Sequence, residues 1–320
     1  MKQPTPAEPA RSHPAHTLFA IHLSSKELVM LRATSAFSRL AVPARRALLP
    51  IADGLGGMTR HARALPDFLI CGAQRSGTTS LFKALNLHPA ATGPVLRKGV
   101  HYFDTGHHNG LDWYRSHFPL RNGLRARWGR PLIRVFESSP YYLFHPLAAE
   151  RIARELPQAK VVVILRDPVE RAYSAHAHET ARGFETEPFA RAIELEDRRL
   201  SGAEERLVAD PTHYSHSHQH HGYVARGNYV DQLIRMEHHL GRERMHVVDY
   251  ADLFDGTSRA LEEIVRFLGL PPASMEPPGR HNARKRAMMP EPLRAELTSR
   301  FAENDARLAL WWGRTPSWCR

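Results

Sequence analysis

From about residue 66 onward, short apolar runs alternate with stretches of helical periodicity. Asp67 to Cys71 is a brief apolar run ending at Gly72, and Ser80 to Leu87 follows with helical spacing until His88-Pro89 closes it. Pro131 to Phe136 reads as a second strand, followed after Pro140 by a helix over Pro146 to Leu156. Lys160-Val-Val-Val-Ile-Leu165 is continuous and β-branched, the pattern of a parallel strand buried on both faces. A helix over Val169 to Arg182 comes directly after it. Met245 to Asp249 predicts another strand, and Thr257 to Leu268 a helix that Gly269 and Pro271-Pro272 terminate. Strands interleaved with helices predict an α/β fold in three layers, a central parallel sheet flanked by helices.

Residues 1–64 follow a different pattern. A proline-rich start leads into helical periodicity at Leu28, Leu31, Phe37 and Leu40, which Pro43 interrupts. This segment is expected to be a partly disordered tail with a packing helix, ahead of one domain over 65–320. The sharper alternative is an amphipathic helix making peripheral contact with a membrane or partner. No apolar run approaches the roughly 20 residues of a membrane span, and the start lacks the apolar core of a secretory signal. Two cysteines, Cys71 and Cys319, build no disulfide framework, so free thiols and a cytoplasmic location are expected. Abundant arginine and alanine hint at a GC-rich bacterial genome. The net charge of +11 favours an anionic partner. Basic residues are spread along the chain with no nucleic-acid-binding spacing, and a small polyanion explains the charge as well as nucleic acid does, so charge alone does not choose.

Gly72-Ala-Gln-Arg-Ser-Gly-Thr-Thr-Ser80 leaves a predicted strand and opens a predicted helix. That is the backbone logic of a P-loop, and the whole reads as a P-loop-like fold: glycines permit a tight turn, and successive N–H groups face an anion at a helix N-terminus. Gly72 and Gly77 have the Walker A separation, yet Thr78 stands where the Walker lysine belongs. The cation is instead Arg75, inside the loop. A planar guanidinium beside Gln74, Ser76, Gly77, Thr78, Thr79 and Ser80 suits a phosphosulfate without a metal. In Val163-Ile-Leu-Arg-Asp-Pro-Val-Glu-Arg-Ala-Tyr-Ser174, an arginine closes the buried strand and a serine lies on the next helix. Arg166 and Ser174 can thereby converge on one oxyanion.

Together these elements resemble the sulfotransferases that use 3′-phosphoadenosine 5′-phosphosulfate (PAPS). The run from Phe68 to Leu81 resembles that family's 5′-phosphosulfate loop, and the resemblance implies that Arg166 and Ser174 bind the nucleotide's 3′-phosphate. It extends over roughly residues 66 to 315. It is most like the bacterial and heparan-sulfate-type branch, through Lys98-Gly-Val-His-Tyr-Phe-Asp104, Gly110-Leu-Asp-Trp-Tyr114 and Glu137-Ser-Ser-Pro-Tyr-Tyr142. It also implies nucleotide contacts from Tyr229 in Arg226-Gly-Asn-Tyr229, and from Arg284, Lys285 and Arg286. The implied reaction moves a sulfuryl group from PAPS to a hydroxyl or amine of a carbohydrate, glycolipid or small molecule, releasing PAP with no metal required.

Such a transfer needs an in-line acceptor, a group that takes its proton, and stabilisation of charge on the departing phosphate. Arg75 and Lys98 are expected to supply the last. The family places a glutamate after the lysine, where this chain has Gly99, and heparan-type members carry a lysine where it has Ser138. His101 is the leading alternative base, followed by Glu137 and then Asp104. His176, His178 and Glu179 are expected beside the Ser174 turn. The tract Thr212 to His221 lacks the defined geometry of a zinc site, so it is expected to be a solvated loop or to gate the acceptor cleft. Two other readings are a P-loop kinase or nucleotide hydrolase and a catalytically silent PAPS or PAP binder.

Overall fold

The computed structural model describes residues 57–94, 97–124, 132–279 and 288–320. Residues 1–56 of the predicted N-terminal segment, with its helix, and Arg284, Lys285 and Arg286, lie outside the described residues. Five parallel strands form one sheet: β1 (Phe68–Gly72), β2 (Ala91–Thr92), β3 (Arg134–Ser138), β4 (Lys160–Leu165) and β5 (Met245–Asp249), in the order β2-β3-β1-β4-β5. Phe68 pairs with Phe136 on one side and with Lys160 on the other. The helices are α1 (Thr78–Asn86), α2 (Gly110–Ser116), α3 (Ala148–Glu155), α4 (Pro168–Ala181), α5 (Phe189–Leu200), α6 (Ala203–Ala209), α7 (His216–His220), α8 (Tyr229–Leu240), α9 (Tyr250–Leu253), α10 (Arg259–Leu268) and α11 (Glu291–Trp312).

Alternation along the central strands divides the core. Leu69 and Cys71 of β1, with Val161 and Val163 of β4, belong to the cluster that includes Ile152 of α3 and Leu233 of α8. Phe68, Ile70, Val162 and Ile164 belong to the opposite cluster, with Leu81 of α1 and Ile264 of α10. Successive side chains of a strand point to opposite faces, so an unbroken apolar run is what a two-faced sheet requires. A third cluster joins Val169 and Ala172 of α4, Ile193 of α5, and Leu297 and Phe301 of α11.

The chain leaves β1 for β2 and β3 on one side, then builds β4 and β5 on the other. This reversal opens a crevice at the carboxyl end of β1, where open α/β sheets bind ligands. Two local devices point the connections there. Gly77, at φ +89, precedes α1, and a Cβ on it would lie 2.7 Å from the Phe254 ring. Only glycine satisfies both the dihedral and the close approach. Asp167 caps α4, its carboxylate accepting from the Val169 and Glu170 amides with Pro168 in the first turn, so the strand turns into helix immediately after Arg166.

Candidate active site

A cavity of about 410 Å³ lies at the carboxyl ends of β1, β4 and β5. Of the residues singled out in the sequence, Gln74, Arg75, Gly77, Thr78, Thr79, Ser80, Lys98, His101, Arg166 and Ser174 line it. Arg75 sits at φ +70 and donates from Nε to Ser174 Oγ at 3.1 Å, joining the loop after β1 to α4. Arg166 donates from a terminal nitrogen to the Arg75 carbonyl (3.2 Å) and lies 5.0 Å over the Tyr250 ring. Lys98 Nζ donates to Thr78 Oγ1 (3.0 Å) and Thr79 Oγ1 (3.2 Å). Burial pushes the Lys98 ammonium down to about 7; Glu137 opposes that shift and Arg75 adds to it. Ser76 is fully buried with its Oγ unpartnered and does not line the cavity. Tyr229 stands behind the cavity too, its hydroxyl donating to the Arg166 carbonyl at 2.8 Å. Three cations around a glycine turn at a helix N-terminus make a polyanion cradle that fits a nucleotide bearing phosphosulfate and phosphate.

Across the loop, His101 adopts φ +59. It and Arg75 are the non-glycine residues with positive φ among the described residues, and both line the cavity. Strained backbone of this kind persists only where the surroundings enforce it. The His101 amide donates to Ser139 Oγ (3.0 Å), and its ring Nδ1 meets Asp104 Oδ2 at 2.8 Å. Burial works against a charged imidazole here, but the Asp104 carboxylate overcomes it and the His101 pKa is raised. With Nδ1 engaged, Nε2 is the ring nitrogen left to take a proton.

Glu137 is fully buried and does not line the cavity. Its carboxylate accepts from the Val100 amide (2.6 Å), the Tyr114 and Tyr142 hydroxyls (both 2.7 Å) and Ser139 Oγ (2.9 Å). Burial raises its pKa, and these four donors pull the other way. The Lys98–His101 segment is therefore tied to β3 through Glu137 and Ser139. Gly99 packs against the same strand: a Cβ there would fall 2.4 Å from the Ser138 carbonyl oxygen and 2.7 Å from Ser139 Oγ.

Several lining residues were not anticipated: Pro140, Tyr141, Arg182, Tyr250 and Phe254. Tyr250 and Phe254 follow β5 directly, so the rule that sites gather at strand carboxyl ends was the available signal. The histidine tract also differs from the solvated loop expected of it. It forms α7, with His218, His220 and His221 buried. His218 stacks on Phe144 and meets the Tyr141 hydroxyl at 2.6 Å, while His221 bonds the Phe184 carbonyl. These rings supply apolar faces and ring nitrogens to a packed wall, a use that a polar count hides. His220 and Gln219 line the cavity, as do His178 and Arg226. Gln74 crosses to this wall, accepting from Arg226 at 2.6 Å and donating to Glu179 Oε1 at 3.2 Å. His176 instead bonds the Glu187 carbonyl. Among the described residues no group of three or more His, Cys, Asp or Glu side chains is placed to hold a metal ion, and no helix is long and apolar enough to cross a membrane.

The family described as the sulfotransferase domain matches residues 65–288. The human bifunctional heparan sulfate N-deacetylase/N-sulfotransferase 2 is 30% identical over 213 residues, which are 65% of this chain and 22% of that protein. The membrane-associated sulfotransferase kil1 of Dictyostelium discoideum is 26% identical over 272 residues, 64% of this chain and 56% of that one. The chain thus spans well under two thirds of either relative. The crystal structure of a sulfotransferase from Alicyclobacillus acidocaldarius superposes with a TM-score of 0.60 at 29% identity, covering 78% of this chain and 97% of that one. The chain belongs to the sulfotransferase family, related to the heparan-sulfate type, and carries the domain that moves a sulfuryl group from PAPS to an acceptor hydroxyl or amine and releases PAP.

Proposed function

We propose that His101, oriented by Asp104, is the base of this sulfotransferase, and that the acceptor is a hydroxyl or amine of a carbohydrate, glycolipid or small molecule. The observation that carries the first part is the His101–Asp104 pair itself: strained backbone, Nδ1 held by a carboxylate, and a place in the cavity beside Lys98. A histidine whose second nitrogen is fixed by a carboxylate presents one tautomer and stabilises the imidazolium that forms.

In the proposed step His101 Nε2 takes the acceptor proton as the new sulfur–oxygen or sulfur–nitrogen bond forms. The bond from sulfur to the 5′-phosphate oxygen breaks, and its electrons leave with PAP. Arg75 and Lys98 bear on that departing oxyanion, and Arg166 with Ser174 holds the 3′-phosphate. Glu137 acts one layer below, fixing the backbone that carries Lys98 and His101. The likeness to heparan-sulfate-type enzymes supports a sugar acceptor. No metal enters the proposed reaction, because cations of the chain surround the loop.

The test is PAP release from PAPS with acceptors found by screening sugars and phenols, read as kcat and KM. His101→Gln is expected to lower kcat by about 10²–10⁴, the usual worth of a general base, while PAP still binds. Asp104→Asn is expected to lower kcat as well and to move the acidic limb of the pH profile to lower pH, since the carboxylate is what raises the His101 pKa. A kcat within a few-fold of wild type in His101→Gln would sink the assignment.

A further inference from the structure

Arg166 closes β4 and reaches the cavity on three supports. Its guanidinium lies 5.0 Å over the Tyr250 ring, Glu170 accepts from it at 3.3 Å, and the Tyr229 hydroxyl donates to its carbonyl at 2.8 Å. Tyr250 and Tyr229 are in turn held from behind by residues 314–318, which follow α11 and do not line the cavity. Gly313 ends that helix at φ +74, its amide donating to the Ala309 carbonyl at 3.0 Å, and the chain then meets the end of β5.

The meeting point is Asp249, a fully buried carboxylate. It caps α9 by accepting from the Ala251 amide at 2.9 Å. Ser317 adds two further bonds: Oγ donates to Oδ1 at 2.8 Å, and the amide donates to Oδ2 at 2.8 Å. Arg314 stands 3.8 Å from the same carboxylate and pairs with Asp252 of α9 at 2.8 Å. A buried carboxylate is costly unless donors satisfy it, so docking of Ser317 and the placement of α9 depend on each other. Tyr250 is the first residue of that helix. Trp318 anchors the segment. Its Nε1 donates to Asp305 Oδ2 at 3.0 Å, its ring stands edge-on to Tyr229 at 6.2 Å, and it packs on the core cluster that holds Leu69 and Val161.

We propose that Arg314, Ser317 and Trp318 are positioning residues of the donor site, which hold Arg166 for the nucleotide's 3′-phosphate through Tyr250 and Tyr229. A guanidinium grips a phosphate through two parallel bonds only when its plane is set, and the Tyr250 ring limits where that plane can lie. Asp249 is the coupling group, because one carboxylate joins the segment to the helix that carries Tyr250. The inference rests on assigning Arg166 to the 3′-phosphate.

The experiment uses the whole chain and two nucleotides, PAP and 5′-AMP, which lacks the 3′-phosphate. Calorimetry gives the affinity for PAP, and competition against PAP gives that for 5′-AMP. In Arg314→Gln/Ser317→Ala the preference for PAP over 5′-AMP should fall about tenfold, the worth of one charge-assisted hydrogen bond out of place. The affinity for 5′-AMP itself should change little. Both positions are partly exposed, and thermal unfolding verifies that the variant is folded; Arg314→Gln alone, which removes only the surface pair with Asp252, is read the same way. Arg314→Lys/Ser317→Thr keeps a cation and a hydroxyl and should recover most of the preference. A preference equal to that of wild type in the first variant, equal losses for both nucleotides, or no recovery in the conservative variant overturns the positioning role. If Arg166→Ala keeps the full preference for PAP, the assignment of Arg166 to the 3′-phosphate fails, and the inference falls with it.

Discussion

Lys98 offers a quantitative handle on the donor site. Its ammonium reaches Thr78 and Thr79 at the start of α1, and burial, with Arg75 nearby, brings its pKa down to about 7. In the free protein at pH 8 about nine tenths of Lys98 is therefore neutral. The phosphate end of the nucleotide pairs with the charged form, so binding draws a proton from solution. The sign follows: the complex holds more protons than the free protein, and affinity falls as pH rises. Between pH 7.5 and 9 the dissociation constant for PAP should climb by close to tenfold per pH unit, about 1.4 kcal/mol each, with uptake of about 0.9 proton at pH 8. The second ionisation of the nucleotide's phosphates lies near pH 6 and is complete over this range. Calorimetry at pH 8 in two buffers of different ionisation enthalpy measures the uptake directly. Lys98→Met should bind PAP more weakly and lose the pH dependence. Uptake near zero, or the same uptake in Lys98→Met, would refute the reasoning.

Two further outcomes test the scaffold beneath the site. Gly99→Ala places a methyl 2.4 Å from the Ser138 carbonyl, and thermal unfolding should show a loss of about 1–3 kcal/mol, the usual cost of overpacking; stability equal to wild type would mean that the segment moves aside freely. Glu137→Gln swaps one acceptor oxygen for an NH₂ that faces hydroxyl and amide donors, so denaturant unfolding should show a loss of about 3 kcal/mol. A stable Glu137→Gln protein with kcat reduced a thousandfold would instead return Glu137 to the role of base.

Much of the fold was legible because its central strands are buried on both faces. β4 is found over Lys160–Leu165 as expected, and β5 over Met245–Asp249 likewise, since an unbroken apolar run has few other places to go. β3 runs on through Glu137 and Ser138, beyond the Phe136 at which the apolar pattern stops. Both are buried, and the Glu137 carboxylate is bonded inside; hydropathy does not register hydrogen bonds made across 23 or 37 residues. β2, at two residues, is too short to have a period. Helices α5 to α7 were hidden by charge and by histidine: α7 buries His218 and His220 through ring packing on Phe144 and Phe184, which a polar reading of histidine cannot anticipate.

That the loop after β1 and the end of β4 share one cavity was readable because each part is local: a loop and its helix, then a strand end and its helix. The opposite wall of the cavity was not, because its parts come from distant segments, with Arg226 and Gln74 lying 152 residues apart. The hardest position was Gly99, where resemblance asks for a glutamate. The structure gives that absence a physical content. With the Ser138 carbonyl in the space a Cβ would need, the segment at Gly99 lies flush against β3, and no side chain of any kind fits there without a shift. The close approach accompanies two contacts of the His101 segment, the Val100 amide on Glu137 and the His101 amide on Ser139. The missing glutamate and the placement of His101 are then two sides of one packing arrangement. Restoring the acid by Gly99→Glu would push the segment off β3 and displace the histidine, so that variant should lose activity rather than gain it.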